Sequence, residues 1–194
     1  MYAQVSGGDP LFNNGIVSGY VWTVIDSGDY RRYDPSSSLN VRVVYQEDED
    51  FTAAERVFSV DELRAVESAY ATYTFTSDTG YVTSSACGIY LNTLFGLVEA
   101  DVDDVYGIRL AANDGVNPGL ITGSFLFQPR YYLPNIEFGG NTVGARLVYP
   151  MLAYENNWRD SAKNSTDSRE DYSTLDGATC FQLMFGSVGM ADML

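Results

Sequence analysis

Histidine is missing from the chain altogether, and lysine is nearly so: Lys163 stands alone against ten arginines. Without histidine there is no Ser-His-Asp or Cys-His catalytic set, and the commonest general base and metal ligand are gone. Cysteine is scarce as well. Cys87 and Cys180 are far apart and form no Cys-x-x-Cys pair, which argues against zinc and thioredoxin-like chemistry. They are read as two buried free thiols, with a disulfide between them as the alternative. No apolar run reaches the ~18 residues that a membrane helix needs. The N-terminus, Met1-Tyr2-Ala3-Gln4-Val5, has neither a basic nor an apolar signal region. The expectation is a soluble chain made in the cytoplasm, without a signal peptide. Walker, dinucleotide and nucleophile-elbow motifs are also missing, so no catalytic residue, cofactor or metal site is assigned and the chain is read as a non-enzyme.

What is abundant is acid, glycine and aromatic side chains. The 194 residues carry a net charge of −15, 18 glycines, 15 tyrosines and 10 phenylalanines, and 45% are hydrophobic. A chain of this kind buries a core and favours strands joined by turns. Its charge repels nucleic acid and anionic membranes, so neither is expected as a partner. An acidic surface almost without lysine resembles proteins of salt-loving organisms, and equally the product of GC-rich coding sequence.

The pattern reads as one β-rich domain over 1–194: an antiparallel β-sandwich or barrel with one flanking α-helix. The centre is placed at Ile121–Tyr154, with strands Ile121–Gln128, Arg130–Phe138 and Thr142–Leu152, the last two joined by a turn at Gly139-Gly140-Asn141. In the third strand Val143, Ala145, Leu147, Tyr149 and Met151 alternate with Gly144, Arg146, Val148, Pro150 and Leu152, the spacing of a strand with one face on a core. Other strands are expected at Ile16–Ile25, Leu39–Gln46, Thr72–Thr76, Tyr81–Ser85, Tyr106–Ala112 and Ala178–Gly186. Ala86–Val98 is apolar and ambiguous between helix and strand.

The helix is expected at Val60–Ala71. Ser59 and Glu62 form a capping box, and Leu63, Val66, Tyr70 and Tyr73 make one apolar stripe. Residues 1–15 read as a flexible arm, Glu47-Asp48-Glu49-Asp50 as a solvated loop, and 155–174 as a long polar loop. Asp101-Val102-Asp103-Asp104 faintly suggests calcium, but it lacks the rest of an EF-hand loop and reads better as a helix start or acidic loop. The candidate contact residues are aromatic: Tyr131, Tyr132 and Trp158. Alternation turns one of the two tyrosines inward, and Trp158 lies in the polar loop.

The segment Ala145-Arg146-Leu147-Val148-Tyr149-Pro150-Met151-Leu152 resembles a late strand in the β-sandwich modules of phage tail fibres, where an aromatic residue follows, here Trp158. The glycine of the intervening turn is absent. The layout as a whole resembles virion proteins of tailed viruses, tail-tube, decoration and fibre subunits among them. The resemblance implies a self-assembling structural subunit of a viral particle, assembled in the host cytoplasm, whose partners are copies of itself and other virion proteins. The alternative is a carbohydrate-binding or adhesin module with tyrosines and Trp158 as stacking platforms for a glycan.

Overall fold

The structure, a computed structural model, describes residues 19–26, 38–45, 48–77, 80–111, 120–134, 142–157 and 172–187. The expectations for the 1–15 arm, the Gly139-Gly140-Asn141 turn and Trp158 lie outside these residues. The protein is mainly β, and most strand pairs are antiparallel. One sheet has five strands, in the order β3 (Asp48–Ser59), β2 (Ser38–Tyr45), β1 (Gly19–Asp26), β6 (Val105–Ala111) and β7 (Leu120–Thr122). Its β1–β6 pair is parallel. A second sheet orders β11 (Asp176–Met184), β10 (Met151–Asn156), β5 (Gly80–Tyr90) and β4 (Ala69–Ser77). A third holds only β8 (Arg130–Tyr132) and β9 (Arg146–Val148).

The five- and four-stranded sheets share one apolar core, an arrangement compatible with a sandwich. Leu39 and Val41 of β2, Phe58 of β3, Ile108 of β6, Ile89 of β5, and Leu152 and Tyr154 of β10 meet in it. Leu39, Val41 and the half-buried Val43 form the inward face of β2. Phe181, Leu183 and Phe185 likewise pack together against the core. The other face of the four-stranded sheet has its own cluster: Tyr73, Ala86, Met151, Ala153 and Met184, with Val148 of β9 against it. The four-stranded sheet is thus covered on both faces, and β10 reads as a continuous buried run rather than an alternation. Its close packing on β5 depends on Gly88, where an added Cβ would lie 2.2 Å from the Leu152 carbonyl oxygen.

Three sequence expectations need correction here. The stretch Ile121–Tyr154 is not the central sheet. Its first strand stops at Thr122, whose side chain accepts the Phe125 N–H (3.3 Å) and starts helix α3 (Gly123–Leu126). Gly123 allows this close fit, because a Cβ there would meet the Val105 carbonyl at 2.2 Å. The run Thr142–Leu152 is a turn at Val143-Gly144 followed by two strands of different sheets, divided at Tyr149-Pro150. Proline has no N–H for a ladder. Its carbonyl accepts from the Leu91 N–H (2.9 Å), and the Tyr149 carbonyl from the Tyr73 hydroxyl (2.9 Å). The acidic run is not wholly a loop either: Asp48, Glu49 and Asp50 begin β3, with Asp48 opposite Tyr45.

The helix is shorter than expected and is one of three among the described residues. Helix α1 spans Val60–Val66, and its capping box is present: Ser59 N–H donates to Glu62 Oε2 (2.8 Å) while Ser59 Oγ accepts the Glu62 N–H (3.2 Å). The hydrogen bonds to Ser59 hold the Glu62 carboxyl below its ordinary pKa. At the other end Ser68 Oγ donates to the Arg64 carbonyl (3.2 Å), and the residues beyond it, rich in Thr and Tyr, go into β4. Tyr70 and Tyr73 therefore do not continue a helical stripe: Tyr70 is exposed and Tyr73 is buried, both on a strand. The ambiguous Ala86–Val98 stretch is divided between β5 and helix α2 (Leu91–Gly96). The strands expected at Thr72–Thr76 and Tyr81–Ser85 lie within β4 and β5 and pair as a hairpin, with Ser77 opposite Gly80.

Candidate functional site

The two-stranded sheet lies over β4 and is tied there by buried polar bonds. Thr74 Oγ1 accepts the Leu133 N–H (3.0 Å), and Ser187 Oγ donates to the Thr74 carbonyl (2.7 Å). Arg130 enters from β8 almost fully buried. Its guanidinium lies 4.1 Å from the Phe125 ring centre and 5.1 Å from that of Phe185, and donates to the carbonyls of Phe125 and Gly186. Burial lowers its pKa, which marks the cost of holding a cation there. Arg130 and Tyr132 therefore look inward, with half-buried Val148 on the same side, while Arg146 is exposed and stacks on Tyr132 at 5.0 Å.

The opposite face carries Tyr131 and Leu147, which are directly paired across the ladder. Of the expected contact tyrosines, Tyr132 takes the inward place, only 2% exposed, and Tyr131 is half-buried beside Leu147. The structure does not bring Tyr132 to the surface, and Trp158 lies outside the described residues. Of the alternating set Val143, Ala145, Leu147, Tyr149 and Met151, only Met151 reaches a core; Val143 is 71% exposed, Leu147 50% and Tyr149 57%. Only Arg146–Val148 of this stretch is strand β9: Val143 lies in a turn, where the Ala145 N–H donates to the Thr142 carbonyl (2.9 Å), and Tyr149 lies just past the strand. Pro150 was the available signal, since proline inside an apolar alternation breaks the strand or puts it at an edge.

Tyr149 also borders a cleft of about 710 Å³ lined by Asn92, Glu99, Asp101, Asp103, Phe127 and Pro150 among others. The Tyr149 ring meets Tyr90 edge-on, with centres 6.1 Å apart. Glu99 stands in the left-handed backbone region at φ 56, where glycine is usual. It closes the turn after α2, with Ala100 N–H on the Phe95 carbonyl (3.0 Å) and Glu99 N–H on the Gly96 carbonyl (3.2 Å), the paired bonds of a Schellman motif. Asp101 caps the 3-10 turn Val102–Asp104 by accepting the Asp103 N–H (3.0 Å), so the reading of this run as a helix start is correct. Among the described residues no cluster of three or more His, Cys, Asp or Glu side chains is placed to hold a metal ion.

The polar stretch after Tyr154 does not begin as a loop. Glu155 and Asn156 complete β10, and Glu155 pairs with Arg64 of α1 at 2.6 Å. Past the undescribed residues, Tyr172 docks on β4, its ring edge-on to Tyr70 at 5.3 Å and its hydroxyl 3.1 Å from Thr72 Oγ1. Cys87 is a buried free thiol whose pKa is raised by burial, so it has little thiolate at neutral pH. No helix among the described residues is long and apolar enough to cross a membrane. No protein-family model, no characterised protein and no solved structure matches the chain.

Proposed function

We propose that the chain is a non-enzymatic structural subunit that assembles with copies of itself, as part of a viral particle and associated with its tail or capsid. One observation carries the assembly reading: Leu147 stands exposed on the short outlying strand β9, with exposed Val143 in the turn before it and exposed Tyr149 just past its end. Single exposed apolar residues are ordinary, but three grouped on and beside a strand that ends a sheet suit a pairing surface. The virion assignment comes from the resemblance of the Ala145–Leu152 sequence to a tail-fibre segment, here divided between β9 and β10, and of the layout to virion subunits, with other virion proteins as further partners. An acidic body repels DNA phosphate and leaves it free to slide past.

Size exclusion with light scattering, at low and at molar salt, tests the assembly reading, with electron microscopy of the peak. The charge of −15 per copy opposes association until salt screens it. Rings, tubes or a fixed oligomer, favoured by salt, are expected. A monomer at every concentration and salt would contradict it.

A second reading, a glycan-binding module, is favoured by the cleft. There an exposed aromatic ring, Tyr149, borders carboxylate and amide groups able to accept sugar hydroxyls. Binding in an oligosaccharide panel that disappears in Tyr149→Ala would support it, and an empty panel would count against it.

A further inference from the structure

We propose that β9 is the joint between copies: its outer edge pairs antiparallel with the same edge of a second copy, about a two-fold axis at Leu147. The two small sheets then join as one of four strands. This rests on the self-assembly reading above and adds its geometry.

The phase of the β8–β9 ladder carries the inference. Tyr131 N–H donates to the Ser187 carbonyl (2.7 Å) and the Tyr131 carbonyl accepts the Ser187 N–H (3.1 Å). Both polar groups of Tyr131 therefore point away from β9. In an antiparallel ladder opposed residues alternate between bonded and non-bonded pairs. Tyr131 and Leu147 are opposed, so theirs is a non-bonded pair, and the ladder bonds belong to Arg130–Val148 and Tyr132–Arg146. The N–H and carbonyl of Leu147 consequently point to the outer edge, where no described strand pairs with β9.

Charge selects the occupant. Between Glu137 and Glu155 the sequence has no acidic residue, and Arg146 is its single charge, in a chain with 26 carboxylates. Strand β9 and its neighbours in the chain thus bring no carboxylate of their own to a contact between copies, with those of Glu99, Asp101 and Asp103 lying across the cleft from Tyr149. A two-fold at Leu147 sets Arg146 opposite Val148 of the second copy rather than opposite its own counterpart, so like charges do not face each other. It also sets Leu147 against Leu147, flanked by Tyr131 on each side, giving a continuous apolar rib across one face of the joined sheet.

Two variants test it in the full chain. Leu147→Pro removes the outward N–H and none of the β8–β9 bonds, a change an edge strand tolerates. It should weaken self-association about tenfold or more while circular dichroism stays unchanged. Leu147→Cys should cross-link to a homodimer through residue 147 on mild oxidation, since bonded antiparallel partners have Cα atoms about 5.5 Å apart, within disulfide range. The unmodified chain, which keeps Cys87 and Cys180, is the control, and the cross-link carries the test if proline disturbs the arm. Wild-type protein that never associates removes both the assembly reading and this joint. Wild-type assembly that Leu147→Pro leaves intact overturns the joint alone. Loss of assembly in Leu147→Pro without a cross-link in Leu147→Cys means that β9 meets a different strand, which also overturns the two-fold.

Discussion

Strands β9 and β10 lie two residues apart in the chain and share an apolar composition, yet they have opposite fates. In β10, Met151, Leu152, Ala153 and Tyr154 are all buried, because the four-stranded sheet is covered by the shared core on one side and by a second cluster on the other. In β9, only Val148 packs inward while Leu147 stands half in solvent. The dividing Tyr149-Pro150 pair hands its carbonyls to Tyr73 and Leu91 and ends one ladder before the next begins. The comparison teaches that alternation identifies a strand, whereas the neighbours a strand acquires decide whether its apolar side finds a core or an open surface.

The sharpest way to break this contrast is truncation on each side of it. Leu152→Ala should cost about 2–5 kcal/mol, as for a buried leucine, and Leu147→Ala about 0.5 kcal/mol or less in the dissociated chain. Urea denaturation of dilute protein measures both, and equal losses would erase the distinction. Next in size is the tether beneath the outlying sheet. Thr74→Val leaves the buried Leu133 N–H without its 3.0 Å acceptor and should cost about 1–3 kcal/mol. Proteolysis should then cut nearer β8 and β9 than β10.

A smaller effect, of the opposite sign, is expected beside the cleft. Glu99→Gly relieves a left-handed residue at a Schellman closure and should stabilise the fold by about 1 kcal/mol. If the cleft is a binding site, the same change should weaken the ligand, since strain retained at a surface residue suits a functional role. The smallest effect belongs to the capping box. The folded-state pKa of Glu62 is depressed, so its contribution is present above the ordinary value of 4.5 and is lost as pH falls through the lower folded value. The melting temperatures of the wild type and Glu62→Gln should differ at pH 7 and converge in acid. A constant difference would deny the linkage.

Much of the fold was legible in local pattern. The β-rich class, β2 with its inward Leu39 and Val41, the Ser77–Gly80 hairpin and the Ser59–Glu62 cap all follow from residues close together in the chain. What was not legible depends on distant partners. Ala86–Val98 stays ambiguous until Leu152 is seen pressed against Gly88. Tyr70 and Tyr73 fit a helical stripe until Ser68 ends the helix and β5 offers β4 a ladder. At the candidate site, alternation turned one of Tyr131 and Tyr132 inward without saying which, and Leu147, Val143 and Tyr149 were assigned to a core. Periodicity does not reveal that their sheet has only two strands, nor that Arg130 is buried between Phe125 and Phe185.

Hydrogen exchange at the Leu147 amide, followed by NMR from dilute protein to assembly conditions in molar salt, tests the central claim most directly. The account predicts rapid exchange in the monomer, where this N–H points to solvent, and marked protection on assembly, while the ladder-bonded Val148 amide is protected throughout. Assembly with the Leu147 amide still exchanging freely would contradict it.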